Sequence, residues 1–181
     1  MSIKTCLMIG ASGRAGSWIR TFTDQFSEQV KIVGLVDVNQ EVLENQGHKL
    51  GLSKNQLFND HQVAIDSVKA DFCGISTPPQ FHSSAAVLAL NRGMPVISEK
   101  PIADTLDSAK SMVKASVETG LPCAIMQNYR YARNKQEVIR IREEGRLGRL
   151  QHVFGRYACD YREYLSWGRA WRHDMDFALL F

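Results

Sequence analysis

The segment Gly10-Ala11-Ser12-Gly13-Arg14-Ala15-Gly16 constrains this chain more than any other. It follows a continuous apolar run, residues 3–9, and opens a stretch of helical periodicity over about residues 14–27. An unbroken apolar run suits a strand buried on both faces, and glycines at a strand-to-helix turn let the backbone bend sharply and approach a ligand. The helix beyond them begins with N–H groups and partial positive charge, which favour a phosphate. A second apolar run, residues 30–37, ends in Asp37, 21 residues past Gly16, where a carboxylate can accept ribose hydroxyls. Strand, glycine loop, helix, strand and acid in that order predict a dinucleotide-binding βαβ unit.

The loop departs from the usual G-x-G-x-x-G spacing. Counted from Gly10, Ser12 stands in place of the second glycine and Ala15 in place of the third, so a G-x-x-G-x-x-G frame fits better. Gly10, Ser12, Gly13, Arg14 and Ala15 are the candidate cofactor-binding residues here: Ser12 can donate to a phosphate and Arg14 adds charge. The competing reading is a plain turn. Asp37 would repel a 2′-phosphate and no arginine follows it in Val38-Asn39, so NAD is expected over NADP.

Beyond Asp37 the alternation continues: a helix at about 39–50, a polar loop at 52–60, a short helix near 61–68 and a strand at 71–76 punctuated by Thr77-Pro78-Pro79. A helix over about 80–91, a strand at 95–98 ending in Glu99-Lys100-Pro101, a helix capped by Asp104 or Thr105 and stopped by Gly120, and a strand at 122–127 complete the pattern. A basic amphipathic helix at 133–144, closed by Gly145, and an alternating run at 150–161 read as the start of another sheet. The fold class is therefore α/β, a Rossmann doubly wound parallel sheet over residues 1–125. Residues 126–181 are expected to begin a second domain with another sheet.

Composition closes off other classes. The 181 residues are 44% hydrophobic and 23% charged, within the globular range. Residues 129–181 hold 11 basic against 7 acidic side chains, but these are interspersed, which predicts no nucleic-acid partner. Cys6, Cys73, Cys123 and Cys159 lie far apart in apolar runs, so no metal site is expected and reduced, buried thiols are. The apolar stretch before Gly10 is too short for a signal core and no run approaches membrane-spanning length. The expected setting is cytoplasmic and off the membrane.

In a doubly wound sheet, ligands gather at the carboxyl ends of the strands, where Thr77-Pro78-Pro79 and Glu99-Lys100-Pro101 both fall. A lysine beside a substrate hydroxyl can stabilise a developing alkoxide or carry its proton; Lys100 equally suits a surface pair with Glu99. His82 suits either a ligand contact or simple packing at the start of its helix. Tyr157, Tyr161, Tyr164, Trp167 and Trp171 suit sheet packing or stacking on a sugar ring.

The loop ending in Gly16, Asp37, Thr77-Pro78-Pro79-x-x-His82, Gly93 through Glu99-Lys100-Pro101, Asn128-Tyr129-Arg130 and Gly145-x-Leu147-Gly148 occur in one order along the chain. Together they resemble the Gfo/Idh/MocA family, the glucose-fructose oxidoreductases, inositol dehydrogenases and their relatives. The resemblance implies an NAD-dependent oxidoreductase that moves hydride between nicotinamide and a secondary alcohol of a sugar, inositol or related polyol. It assigns Lys100 to the substrate hydroxyl as catalytic residue, with a Lys100–Pro101 peptide that is often cis. Thr77, Pro78, His82 and Glu99 would lie on the cofactor side, and Tyr129, Arg130, Trp171 and Arg172 would face the substrate. Family members run much longer, carry an Asp and a His soon after the equivalent of Phe181, and usually form homo-oligomers. Residues 126–181 would then be the incomplete start of an α+β substrate or oligomerisation domain, and a fragment is expected, one that binds NAD(H) with little or no turnover alone. A dinucleotide-binding sugar sensor without turnover is the alternative, since fold does not fix function.

Overall fold

A computed structural model describes residues 2–156 of the chain. The chain divides after Met126, and the two units are taken separately. In the first, β1 (Lys4–Ile9), β2 (Val30–Val36), β3 (Leu57–Phe58), β4 (Phe72–Ile75), β5 (Val96–Ser98) and β6 (Cys123–Ile125) form one sheet in the order β3-β2-β1-β4-β5-β6. Every pairing in it is parallel. The chain winds outward from β1 to β3, then returns to the other side of β1 and winds outward again. This is the doubly wound Rossmann arrangement, with its topological switch between β1 and β4.

Strand β1 shows why the apolar run needs no alternation. Leu7 and Ile9 pack into a core with Ala64 and Ile65, Ala86 and Leu90, and Met112. Cys6 and Met8 point the other way, into a core with Ala15, Trp18, Ile19 and Leu43. Helices α3 (His61–Ser67), α4 (His82–Asn91) and α5 (Leu106–Thr119) thus supply the first layer, and α1 (Gly13–Gln25) and α2 (Gln40–Leu50) the second. Both faces of the strand are dry, and each fully buried leucine or isoleucine contributes about 1.5–3 kcal/mol.

Local signals set the helix ends. Asn39 Oδ1 accepts from the Val42 N–H at 3.1 Å, Asp60 Oδ1 from the N–H groups of Gln62 and Val63, and Thr105 Oγ1 from the Ser108 N–H at 3.1 Å. Those two backbone bonds hold the Asp60 carboxyl below its ordinary range. Thr105, rather than Asp104, caps α5, and Gly120 ends it in the left-handed conformation at φ 68°.

Two expectations are corrected. The stretch 52–60 is not all loop: Leu57–Phe58 pairs with Leu35–Val36 as the edge strand β3. Two residues are too short to show a period, and Leu57 packs so closely on Gly47 of α2 that a Cβ there would lie 2.6 Å from its side chain. The run 150–161 is no strand in its described part, because residues 150–156 carry no regular structure. The second unit holds α6 (Arg133–Glu143), whose Arg140 pairs with Glu137 and Glu144.

Cys6 and Cys73 are free, buried thiols, and burial pushes the first up to about 12 and the second well above its ordinary value. Cys123 is only half-buried, short of the full burial expected, and Cys159 lies outside the described residues. Among the described residues, no helix is long and apolar enough to cross a membrane and no side-chain cluster is suited to a metal ion.

Candidate functional site

One rung of sheet hydrogen bonds defines the carboxyl edge. The Gly10 N–H donates to the Val36 carbonyl at 2.8 Å, Ser76 to Ile9 at 2.9 Å, Glu99 to Ile75 at 2.8 Å and Met126 to Ser98 at 2.8 Å. Asp37, Gly10, Ser76, Glu99 and Met126 therefore stand in a row, each one residue past the end of its strand. With strands about 4.8 Å apart, Asp37 and Glu99 are separated by three spacings, roughly 14 Å, the scale of a dinucleotide laid across the edge.

At the centre of the row lies the glycine loop. Gly10 has φ 101°, and a Cβ there would stand 2.5 Å from the Ser76 carbonyl oxygen and 3.2 Å from the Ala15 Cβ. Gly13 has φ 54°, while Gly16 has an ordinary φ and room for a methyl group 3.4 Å from the Ala11 carbonyl. The first two glycines answer to backbone conformation, while neither conformation nor packing requires the third. Ser12 occupies the N-cap position of α1, yet its side chain caps nothing. Ser12 and Arg14 are exposed and Ala15 is buried.

Asp37 is half-buried beside the loop. Its Oδ2 accepts from the Ala11 N–H at 2.8 Å and its Oδ1 from the Asn39 N–H at 2.9 Å. The carboxylate thus pins the glycine loop to the start of α2 and keeps further lone pairs for a ribose. The next side chain, Val38, is 89% exposed and uncharged.

At the other end, Ser76 Oγ and Thr77 Oγ1 are buried with no protein partner among the described residues. Orphaned buried hydroxyls are costly, and these stand next to a loop in which only glycine fits. Both features fit a ligand with polar groups lying over the edge. Pro78 is half-buried beside them.

The Lys100–Pro101 peptide is cis, and Lys100 is half-buried. Glu99, only 6% exposed, accepts at Oε1 from the Trp18 indole N–H at 3.0 Å and at Oε2 from the Lys100 N–H at 3.0 Å. The Arg14 guanidinium lies 3.5 Å from the same Oε1. His82 is fully buried, with Nδ1 3.0 Å from the Pro101 carbonyl and Nε2 2.9 Å from the Thr77 carbonyl. Of the two readings open for His82, the geometry favours packing, since backbone occupies both ring nitrogens.

The first unit thus brings together the glycine loop, Asp37, Thr77, Pro78, His82, Glu99 and Lys100. Tyr129 and Arg130 lie on an exposed helical turn in the second unit, and Trp171 and Arg172 fall outside the described residues. Two participants escaped sequence reasoning: Ser76, masked by its strand-like surroundings, and Trp18, whose partner is 81 residues away.

The comparisons with known proteins agree with this fold. The chain is 32% identical to the D-apiose dehydrogenase of Paraburkholderia graminis over 118 residues, 65% of this chain and 31% of the relative. It is also 32% identical to a glycosyl hydrolase family 109 protein of Solibacter usitatus over 167 residues, 87% of this chain and 38% of that one. The structure of the WlbA dehydrogenase from Bordetella pertussis, in complex with NADH and UDP-GlcNAcA, matches with a TM-score of 0.73 at 26% identity, over 82% of this chain and 43% of the other. The chain spans less than half the length of the curated relatives it matches. The family model for the GFO_IDH_MocA oxidoreductases with NAD-binding Rossmann fold matches residues 4–127, which takes in every strand of the sheet and the whole row from Asp37 to Met126. By that match and that architecture, the chain belongs to the Gfo/Idh/MocA oxidoreductase family.

Proposed function

We propose that the first unit, up to about residue 125, is the cofactor domain of an NAD-dependent dehydrogenase acting on a secondary alcohol of a sugar, inositol or related polyol, with the residues beyond it contributing to the substrate side. The observation that carries this reading is the row of strand ends, with Asp37 on one side, Glu99-Lys100 on the other and the glycine loop between. NAD, when bound, supplies the hydride acceptor at its nicotinamide ring. Backbone N–H groups of Ser12 to Ala15 hold the pyrophosphate, with Ser12 and Arg14 as added donors. Asp37 takes the adenosine ribose hydroxyls and disfavours a 2′-phosphate, so NAD is bound in preference to NADP. Thr77 and Pro78, with the Ser76 hydroxyl, line the nicotinamide end.

Lys100 then faces the substrate hydroxyl. As hydride leaves the carbinol carbon, the hydroxyl must also lose its proton: the neutral Lys100 amine would accept it, and in the reverse direction the ammonium would return it to the developing alkoxide. Tyr129, Arg130, Trp171 and Arg172 are the proposed substrate-side residues. The kinship with the Solibacter usitatus protein supports a second reading, a glycosyl hydrolase on the same cofactor domain.

Product analysis with a panel of polyols, sugars and glycosides separates the two readings. A dehydrogenase forms NADH one-for-one with an oxidised polyol and leaves glycosides intact. Glycosidic cleavage with no net change in the cofactor overturns the dehydrogenase reading in favour of the hydrolase.

A further inference from the structure

We propose that Ser76 is a phosphate-binding residue: its hydroxyl donates to the nicotinamide-side phosphate of the dinucleotide, completing from β4 the cradle that the glycine loop begins on β1. This rests on the reading of the first unit as an NAD domain and adds to it a donor outside the loop.

Two sets of neighbours place the hydroxyl. Ser76 follows β4, and its N–H still bonds the Ile9 carbonyl, so the alternation of the strand runs on into it. Cys73 and Ile75 point into the core that holds Leu7 and Ile9. Gly74 between them turns to the other face, where a Cβ on it would lie 3.0 Å from Met8 Sδ and 3.8 Å from the Trp18 ring. Ser76, two residues on, shares that second face, the one that α1 covers. Gly10 gives the same neighbourhood independently, since a Cβ on it would meet both the Ser76 carbonyl oxygen, at 2.5 Å, and the Ala15 Cβ, at 3.2 Å. Ser76 therefore stands beside the first turn of α1.

Its hydroxyl has no protein partner. Ser76 is 9% exposed, and its Oγ is buried without a hydrogen bond among the described residues. Alanine would fill the same place with nothing left unpaired, so the orphaned hydroxyl points to a group that arrives with a ligand.

The surroundings select an anion as that group. Helix α1 begins with free N–H groups and partial positive charge, its N-cap Ser12 makes no side-chain bond, and its first turn holds no acid. A phosphate oxygen beside that helix end only accepts, and the unpaired O–H of Ser76 is a donor. Along the sheet the row runs Asp37, Gly10, Ser76, Glu99, so Ser76 lies one strand, about 4.8 Å, beyond the glycine loop on the side away from Asp37. With the adenosine ribose at Asp37, the phosphate on that side is the one that bears the nicotinamide ribose.

Ser76→Ala removes the hydroxyl and adds no bulk. The native chain and the variant are titrated with NADH, ADP-ribose, ADP and AMP, and the thermal midpoint of each free chain is measured. ADP keeps both phosphates without the nicotinamide ribose, and AMP keeps only the adenosine-side phosphate. NADH, ADP-ribose and ADP are each expected to bind about tenfold more weakly, the weight of a hydrogen bond to a charged group, while AMP binds as it does to the native chain. The free variant is expected to melt about 2–4 °C higher, because a buried hydroxyl without a partner destabilises the folded chain. Native affinity for NADH and ADP overturns the proposal, and if the midpoint also falls, the serine serves the fold alone. A loss confined to NADH and ADP-ribose overturns it by putting the hydroxyl on the nicotinamide ribose, and an equal loss for AMP by putting it on the other phosphate. A native chain that binds none of the four ligands sinks the NAD reading and this inference with it, whereas native affinities in the variant sink this inference alone.

Discussion

In a form of the protein that turns over, Lys100→Met is expected to lower kcat for hydride transfer by about 100- to 10,000-fold, the range that a positioned proton-transfer group supplies. NADH affinity should stay within a few-fold of native. Methionine keeps the length and apolar stem of lysine and removes the charge, so the half-buried position remains filled. The backbone hydrogen bond from residue 100 to Glu99 survives, because it uses the N–H and not the side chain. Steady-state kinetics beside an NADH titration checks the split. A loss confined to cofactor affinity, with native kcat, would reassign Lys100 from the reacting hydroxyl to cofactor binding.

Gly10→Ala has the other large expected effect, and it acts on cofactor binding. The residue has φ 101°, and its new Cβ would lie 2.5 Å from the backbone oxygen of Ser76, a residue anchored through its N–H to Ile9 and unable to yield as a side chain would. Left-handed strain costs about 1–2 kcal/mol, and displacing the Ser76 carbonyl adds to it. Stability is expected to fall by about 2–3 kcal/mol, and NADH affinity by about tenfold or more, since the loop must open where the proposed reading seats the pyrophosphate. Gly16→Ala is the internal control, because its Cβ would meet only an ordinary 3.4 Å contact at an ordinary φ. Thermal unfolding and NADH titration of the two variants should separate them clearly. Equal behaviour would mean that the close approach at Gly10 does not shape the site.

Much of this site was legible because its signals are local. Glycines mark the loop and helix ends, and apolar runs at 3–9 and 30–37 mark strands buried on both faces. An acid at the end of the second run needs no tertiary knowledge to be found. The Glu99-Lys100-Pro101 segment was legible through its place at a strand end and through its resemblance to a family motif. Other features depend on partners distant in sequence. Strand β3 exists because Leu57 and Phe58 pair with Leu35 and Val36, and two residues carry no period of their own. The link from Trp18 to Glu99 joins residues 81 apart, and an indole on a helix reads as core until its N–H is followed. His82 illustrates a different limit: a histidine beside a ligand-binding strand end suits cofactor contact or packing, and only its two carbonyl neighbours distinguish them. The alternation at 150–161 suggested a strand, but a strand needs a neighbour, and residues 150–156 have none in regular structure.

On the proposed reading, Asp37 ties these elements to one cofactor. It holds the glycine loop through Ala11 and the start of α2 through Asn39, and it would set negative charge at the place where NADP carries a phosphate. Titrating the chain with NADH and with NADPH under identical salt is therefore the most direct measurement. NADH is predicted to bind at least about tenfold more tightly, about 1.4 kcal/mol, as expected for a carboxylate set against a phosphate. NADPH binding as tightly as NADH, or no binding of either, would contradict the assignment of the Asp37-to-Lys100 edge as an NAD site.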